Sequence, residues 1–294
     1  MALVKHAIIL AGGLGTRMLP ASSYAPKEVL PLIDTPLINH LIWEASKAGV
    51  EKIHIVTSRK KMEIFKGVLN KKNQWSDIRP DLPRLALEVI PEGIEIKFHE
   101  QIKPGGVGNA ISTALSDIKG PFLVLLGDNI IMDMHNNYPK SDLSLASDGC
   151  KKLVDFYEKN KIPCAGLIKI EDQEIEKYGV VEIMDELIIK IVEKPEMNLA
   201  PSKYVLCGRY LLPSNTGKIL LEYPLEEFGE LQSIAIFEHF IKNGGFGGVK
   251  FDEFSIYDSG DPLSWLKSQI EHAFRRVEYQ QDIKIWLESK FKIL

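Results

Sequence analysis

Gly12, Gly13 and Gly15 follow directly on the apolar run Ala7-Ile8-Ile9-Leu10, and Arg17 and Lys27 come next on a stretch stiffened by Pro20, Pro26 and Pro31. Glycines placed after a strand let backbone N–H groups approach an anion with no side chain in the way. Two fixed cations on the same stretch can neutralise a polyphosphate. Two carboxylates have a complementary placement. Asp128 follows the apolar run 122–126 and Asp258 follows the run 254–257, each in a turn that contains a glycine, Gly127 and Gly260. A hard cation such as Mg2+ takes few carboxylates and completes its shell with phosphate oxygens.

Taken singly, these signals have plainer accounts. A Gly-x-Gly is a tight turn with solvated Arg and Lys beside it, and an Asp after a strand caps a turn or a helix. Gln101 alone is an ordinary surface residue. Glu193-Lys194-Pro195 alone is a solvated loop. Two familiar phosphate loops are excluded: no Gly-Lys-Ser/Thr follows, and position 18 is Met18 where a dinucleotide fingerprint needs its third glycine. The seven histidines form no cluster that suggests a Ser/His/Asp or Cys/His nucleophile.

The elements that must position these groups follow from periodicity. Residues 4–10 form a continuous apolar run, as expected of a parallel strand covered on both faces. A long loop over 11–34 leads to a helix carrying Leu37, Leu41, Ala45 and Ala48, stopped at Gly49. A strand over 53–57, a helix over 60–69, a strand over 94–99, a helix over 108–117 and a strand over 122–126 complete a strand–helix alternation, the pattern of a doubly wound sheet. The polar, Pro-interrupted segment 70–93 reads as an insertion or flap. A helix over 150–160 precedes strands at 162–170, 179–184, 187–192 and 204–212. These are spaced too closely for βαβ units, which predicts a mixed or antiparallel extension. Helices over 231–242 and 262–275 flank a last strand pair, 247–251 with 254–257. Ile283, Trp286, Leu287 and Phe291 stripe a C-terminal helix, either packing on their own chain or meeting another subunit.

A chain of 294 residues is long enough for one large α/β unit. Its formal charge of −4 gives no reason to expect nucleic acid. Cys150, Cys164 and Cys207 lack metal-ligand spacing and fit a reducing compartment. No apolar run approaches the roughly 18 residues of a membrane span, so no membrane partner is expected and a cytoplasmic enzyme is the default.

The whole stretch from Leu10 to Leu32, with Gly13-Leu14-Gly15-Thr16-Arg17-Met18-Leu19-Pro20, Pro26-Lys27-Glu28 and Leu30-Pro31-Leu32, resembles the signature of the sugar-1-phosphate nucleotidyltransferases. It looks most like the bacterial-type UTP–glucose-1-phosphate uridylyltransferases. The resemblance runs from Lys5 to about Leu287. It implies a Rossmann-like α/β nucleotidyltransferase fold, with a central mixed, mainly parallel sheet flanked by helices and a C-terminal sugar-binding extension. Residues 1–294 would form a single domain made of a nucleotide-binding lobe (1–135), a sugar-phosphate lobe (136–275) and a C-terminal helix (276–294). The implied reaction joins UTP and glucose 1-phosphate into UDP-glucose and releases pyrophosphate. By the same resemblance, Arg17, Lys27 and Asp128 serve catalysis, and Asp128 and Asp258 hold Mg2+. Ala11, Gly12, Gly13, Gly15, Thr16, Gln101 and Gly106 bind the nucleotide, while Gly179, Glu193 and Lys194 bind the sugar phosphate. A homodimer or homotetramer is implied as well.

Three features depart from the uridylyltransferase pattern: the doubled Gly12-Gly13, the Gly127 before Asp128, and Ser233-Ile234-Ala235 after Gln232. The first two lean toward the glucose-1-phosphate thymidylyltransferases, which make dTDP-glucose, and these form the alternative reading. A non-catalytic nucleotide-sugar-binding regulator on the same fold would be marked by loss of Arg17, Lys27, Asp128 or Asp258, and all four are present.

Overall fold

The computed structural model describes residues 3–69, 90–135 and 143–291. The expected insertion therefore lies, from 70 to 89, outside the described residues. The chain builds a nine-stranded sheet from β1 (His6–Leu10), β2 (Lys52–Thr57), β3 (Glu95–Glu100), β4 (Phe122–Leu126), β6 (Cys164–Lys169), β7 (Gly179–Met184), β8 (Leu187–Glu193), β9 (Tyr204–Leu212) and β10 (Gly247–Lys250). Two shorter strands, β5 (Asn129–Met132) and β11 (Ser255–Asp258), pair separately. The order across the large sheet is β3-β2-β1-β4-β9-β6-β10-β8-β7. Its first four strands run parallel, with Ile8 level with His54 on one side and Val124 on the other. Beyond β4 the sheet is mixed: β9 runs antiparallel to both β4 and β6, and β10 runs parallel to β6.

Alternation along the central strands sends neighbouring side chains to opposite faces. Ala7, Ile9, Leu123 and Leu125 enter one core with helices α1 (Leu37–Lys47) and α4 (Gly149–Asn160). Ile8, Phe122 and Val124 enter the other, with α3 (Gly106–Ala114) and α5 (Gln232–Lys242). Strands covered on both faces must be apolar throughout, which is why β1 and β4 read as unbroken runs. Helix α2 (Arg59–Leu69) follows β2 and buries Phe65 and Leu69.

One expectation is corrected. Residues 247–251 and 254–257 do not pair with each other. Strand β10 joins the large sheet beside β6 and β8, and β11 pairs antiparallel with β5, a strand the sequence pattern did not reveal. Sequence proximity suggests a hairpin, but the open edge of β6 and the turn after β4 take these strands separately. Helix α7 (Val277–Phe291) packs on α6 (Pro262–Arg275) and leaves much of its apolar stripe uncovered: Trp286 and Phe291 are about half exposed and meet each other edge to face. The three cysteines are buried free thiols. Among the described residues, no helix is long and apolar enough to cross a membrane.

Candidate active site

Strand β1 lies between β2 and β4, so the chain reverses its winding direction there, and sheets of this kind take ligands beyond the carboxyl ends of the strands at such a point. The candidate residues gather at that point. The glycine stretch leaves β1 with the Ala11 N–H bonded to Val56 O at 2.8 Å. Gly15 takes φ +68° and is secured by the Met18 N–H and the Ser22 hydroxyl, which donate to its carbonyl at 2.9 and 2.7 Å. Met18 plugs the turn into the core, while Gly13, Thr16 and Arg17 stay exposed.

Gly127 sits where β1 and β4 part. Its N–H donates to Leu10 O at 2.9 Å, and a Cβ there would stand 2.6 Å from the same oxygen. Only glycine permits this approach, and it delivers Asp128 to the mouth of the glycine stretch. Lys27, on the single turn Lys27–Val29, is buried and donates to Asp128 Oδ2 at 2.5 Å. The antiparallel pair β5–β11 sets Asp258 opposite Asn129. The Ser259 N–H and hydroxyl both reach Asp128 O at 3.1 Å, so the two acids sit on adjoining turns. Burial pushes the Asp258 carboxyl above its ordinary range, and the negative charge of Asp128 pushes the same way. The Gly260 N–H, 2.6 Å from Oδ1, and the Lys27 ammonium oppose it. Two carboxylates on adjoining turns are hard oxygen donors, a pair that would suit a Mg2+ whose shell phosphate oxygens complete. The Arg17 guanidinium joins the group over Gly260: a Cβ there would lie 3.1 Å from Arg17 Nη2 and 2.9 Å from Asp258 Oδ1.

Gln101 lies against the glycine stretch. Its N–H bonds Thr57 O at 2.9 Å and its side-chain amide bonds Asn109 Oδ1 at 2.8 Å. The amide lies flat on the glycine stretch, so a Cβ on Gly12 would fall 2.2 Å from Oε1. Gly106, at φ +78°, begins α3 with the Glu230 backbone 2.8 Å from a would-be Cβ, so close packing demands glycine there.

Gly179, Glu193 and Lys194 come together on β7 and the end of β8. The Glu193 carboxylate lies 3.1 Å from the place of a Gly179 Cβ, and the Lys194 N–H donates to Tyr178 O at 3.1 Å. Lys194, at φ +46°, holds its ammonium in solvent, 3.6 Å from Glu193. Two tyrosine hydroxyls feel the charges of these groups. Burial raises the Tyr178 hydroxyl's pKa, and the charges of Asp258 and Asp128 add to the rise. Tyr210 is raised by burial, with Cys207, Glu193 and Asp128 contributing.

A family model described as nucleotidyl transferase matches residues 6–264. The chain belongs to the nucleotidyl transferase family. A relative in Staphylococcus epidermidis, named UTP–glucose-1-phosphate uridylyltransferase, is 32% identical, with 97% of this chain and 98% of the relative covered. Among solved structures, a UDP-glucose pyrophosphorylase from Acinetobacter baumannii is 26% identical with TM-score 0.79, covering 98% of this chain and all of that one. A UDP-glucose pyrophosphorylase complexed with UDP-glucose is 27% identical with TM-score 0.76, covering 93% of this chain and 100% of the other.

This nucleotidyl transferase also carries a buried ion pair that sequence reasoning missed. Arg209 and Glu44 are 0% and 1% exposed. Arg209 Nε and Nη2 meet the Glu44 oxygens at 2.9 to 3.1 Å, and Nη2 also donates to Asn129 O at 2.9 Å, one residue from Asp128. A bulge in β9, with Gly208 at φ +74° against Leu126, aims Arg209 inward. The signal was legible: Glu44 stands in the apolar face of α1 and Arg209 in an otherwise apolar strand, where a charge is tolerated only if paired.

Proposed function

We propose that this chain is a UTP–glucose-1-phosphate uridylyltransferase, forming UDP-glucose and pyrophosphate. The observation that carries the reading is the convergence of the Lys27–Asp128 pair, Asp258 and Arg17 beyond the carboxyl ends of β1 and β4. The names of its full-length relatives supply the substrates. A phosphate oxygen of glucose 1-phosphate attacks the α-phosphorus of UTP. The new P–O bond forms as the bond to the β-phosphate oxygen breaks, and the electron pair leaves with pyrophosphate. Positioning and charge neutralisation supply the catalysis. Arg17 and Lys27 face the departing pyrophosphate, where charge grows in the transition state. Gln101 meets the uracil edge over Gly12, with Gly106 at the same wall. Glu193 accepts from glucose hydroxyls over Gly179, and Lys194 swings from Glu193 to the sugar phosphate. Asp128 and Asp258 would hold Mg2+, which supplies positive charge to the phosphate oxygens.

The test is pyrophosphate release from a panel of nucleoside triphosphates and sugar 1-phosphates. UTP with glucose 1-phosphate should be the best pair. A clear preference for dTTP would overturn the reading.

A further inference from the structure

Lys61 of α2 turns its ammonium onto the backbone of the glycine stretch. Nζ donates to Gly13 O at 2.6 Å and to Ala11 O at 3.3 Å, and it spans both carboxylate oxygens of Glu28 at 3.3 and 3.2 Å. The Thr57 hydroxyl also donates to Ala11 O, at 2.9 Å. The two charged side chains are 14% and 1% exposed. Burial pushes the Glu28 carboxyl upward, and the Lys61 charge counters it, so each group supports the other in a place neither would occupy alone. Glu28 also presses on Gly127, its Cγ 3.1 Å from where a Cβ would sit.

A trans peptide unit is planar, with its C=O and N–H pointing in opposite directions. The Ala11 and Gly13 carbonyls are drawn toward Lys61, so the N–H groups of the following residues, Gly12 and Leu14, point away from α2. Among the described residues, the N–H groups of Gly12, Gly13, Leu14 and Gly15 donate to no protein acceptor. Four successive free donors on one turn form an anion concavity, and a cation placed behind the carbonyls sets the direction of half of them.

We propose that Lys61 is a positioning residue of the nucleotide site: it holds the Ala11 and Gly13 carbonyls so that the Gly12 and Leu14 N–H groups face the nucleotide's triphosphate. The role rests on the uridylyltransferase reading. It assigns Lys61 to the nucleotide and not to the sugar phosphate, whereas a general tie between α2 and the loop would affect both substrates.

The test compares the parent with Lys61→Met. Pyrophosphate and UTP, each with Mg2+, are titrated by calorimetry, and backbone amide shifts are followed in protein labelled with 15N-glycine. The variant should bind both ligands at least about tenfold more weakly, the loss expected when N–H donors to a charged group are misdirected. The pyrophosphate-induced shift of the Gly12 amide should shrink, while the KM for glucose 1-phosphate stays within about twofold. If Lys61→Met does not fold, Lys61→Met with Glu28→Gln removes the buried charge along with its partner and carries the same measurements. Parent-like pyrophosphate affinity with an unchanged Gly12 shift in a folded variant overturns the proposal, as does equal weakening toward glucose 1-phosphate. A parent that binds neither pyrophosphate nor UTP removes the nucleotide reading itself, and the proposal with it.

Discussion

Replacing Arg209 with Met would leave the Glu44 carboxylate inside the protein, 1% exposed, with the Cys150 N–H at 3.1 Å and the Cys150 thiol as remaining partners. Breaking a buried pair on one side costs about 3–5 kcal/mol, because the surviving charge keeps its desolvation penalty and loses its counterion. At roughly 2–4 °C per kcal/mol for larger domains, the melting temperature should fall by about 6–20 °C. Glu44→Leu should cost a similar amount by stranding the guanidinium. The double variant is the informative one. It removes both desolvation penalties, so only three backbone groups lose partners: Asn129 O, Gly208 O and the Cys150 N–H. At about 1 kcal/mol each, that loss lies well below the sum of the two single penalties. Urea denaturation of parent, singles and double gives the coupling directly, and the double should be more stable than additivity predicts by about 3–7 kcal/mol. Additive penalties, or single variants within about 1 kcal/mol of the parent, would show that Arg209 and Glu44 do not stabilise the fold as a pair.

Three further outcomes are expected. Asp128→Asn and Asp258→Asn should each nearly abolish turnover, with melting of Asp258→Asn without ligand close to the parent and that of Asp128→Asn lowered because buried Lys27 loses its counterion; turnover of the double should be little worse than of either single, since the two act as a unit, and turnover penalties that multiply would separate their roles. Gln101→Ala should cost about tenfold to a hundredfold in kcat/KM for UTP, the loss of a neutral hydrogen-bonding partner, and unchanged UTP use would return Gln101 to the surface. Acid should destabilise the fold through its buried histidines: His54, in contact with His6 and His99, is pushed down to about 4, first by burial and then by its histidine neighbours, and His272 is also pushed down to about 4, mainly by burial. Both stay neutral in the fold but take up protons near pH 6.5 when unfolded, so stability is full above 6.5 and falls as pH drops toward 4; His54→Asn should flatten that fall in melting curves taken across the range, and an unchanged slope would place the acid sensitivity elsewhere.

The sequence by itself determined the groups whose chemistry is local. The glycines after β1, the cations on the Pro-marked stretch, the apolar runs of β1 and β4 and the carboxylates at strand ends were all legible. Their signals are short-range: a strand covered on both faces is a continuous apolar run, and a close backbone approach demands glycine. The same logic placed α1, α2 and α3 correctly, because an amphipathic helix records its buried face every three or four residues. What the tertiary structure decided is which of these groups meet. Nothing within ten residues of Asp258 says that its strand pairs with Asn129–Met132 and not with its sequence neighbour, yet that pairing puts the second acid beside Asp128. Nor does any local pattern join Arg209 to Glu44, or Lys61 to a loop 48 residues before it. Each of those partners is chosen by the order of strands in the sheet, and that order reflects the burial of whole faces against one another, a sum over distant residues that no single stretch of sequence contains.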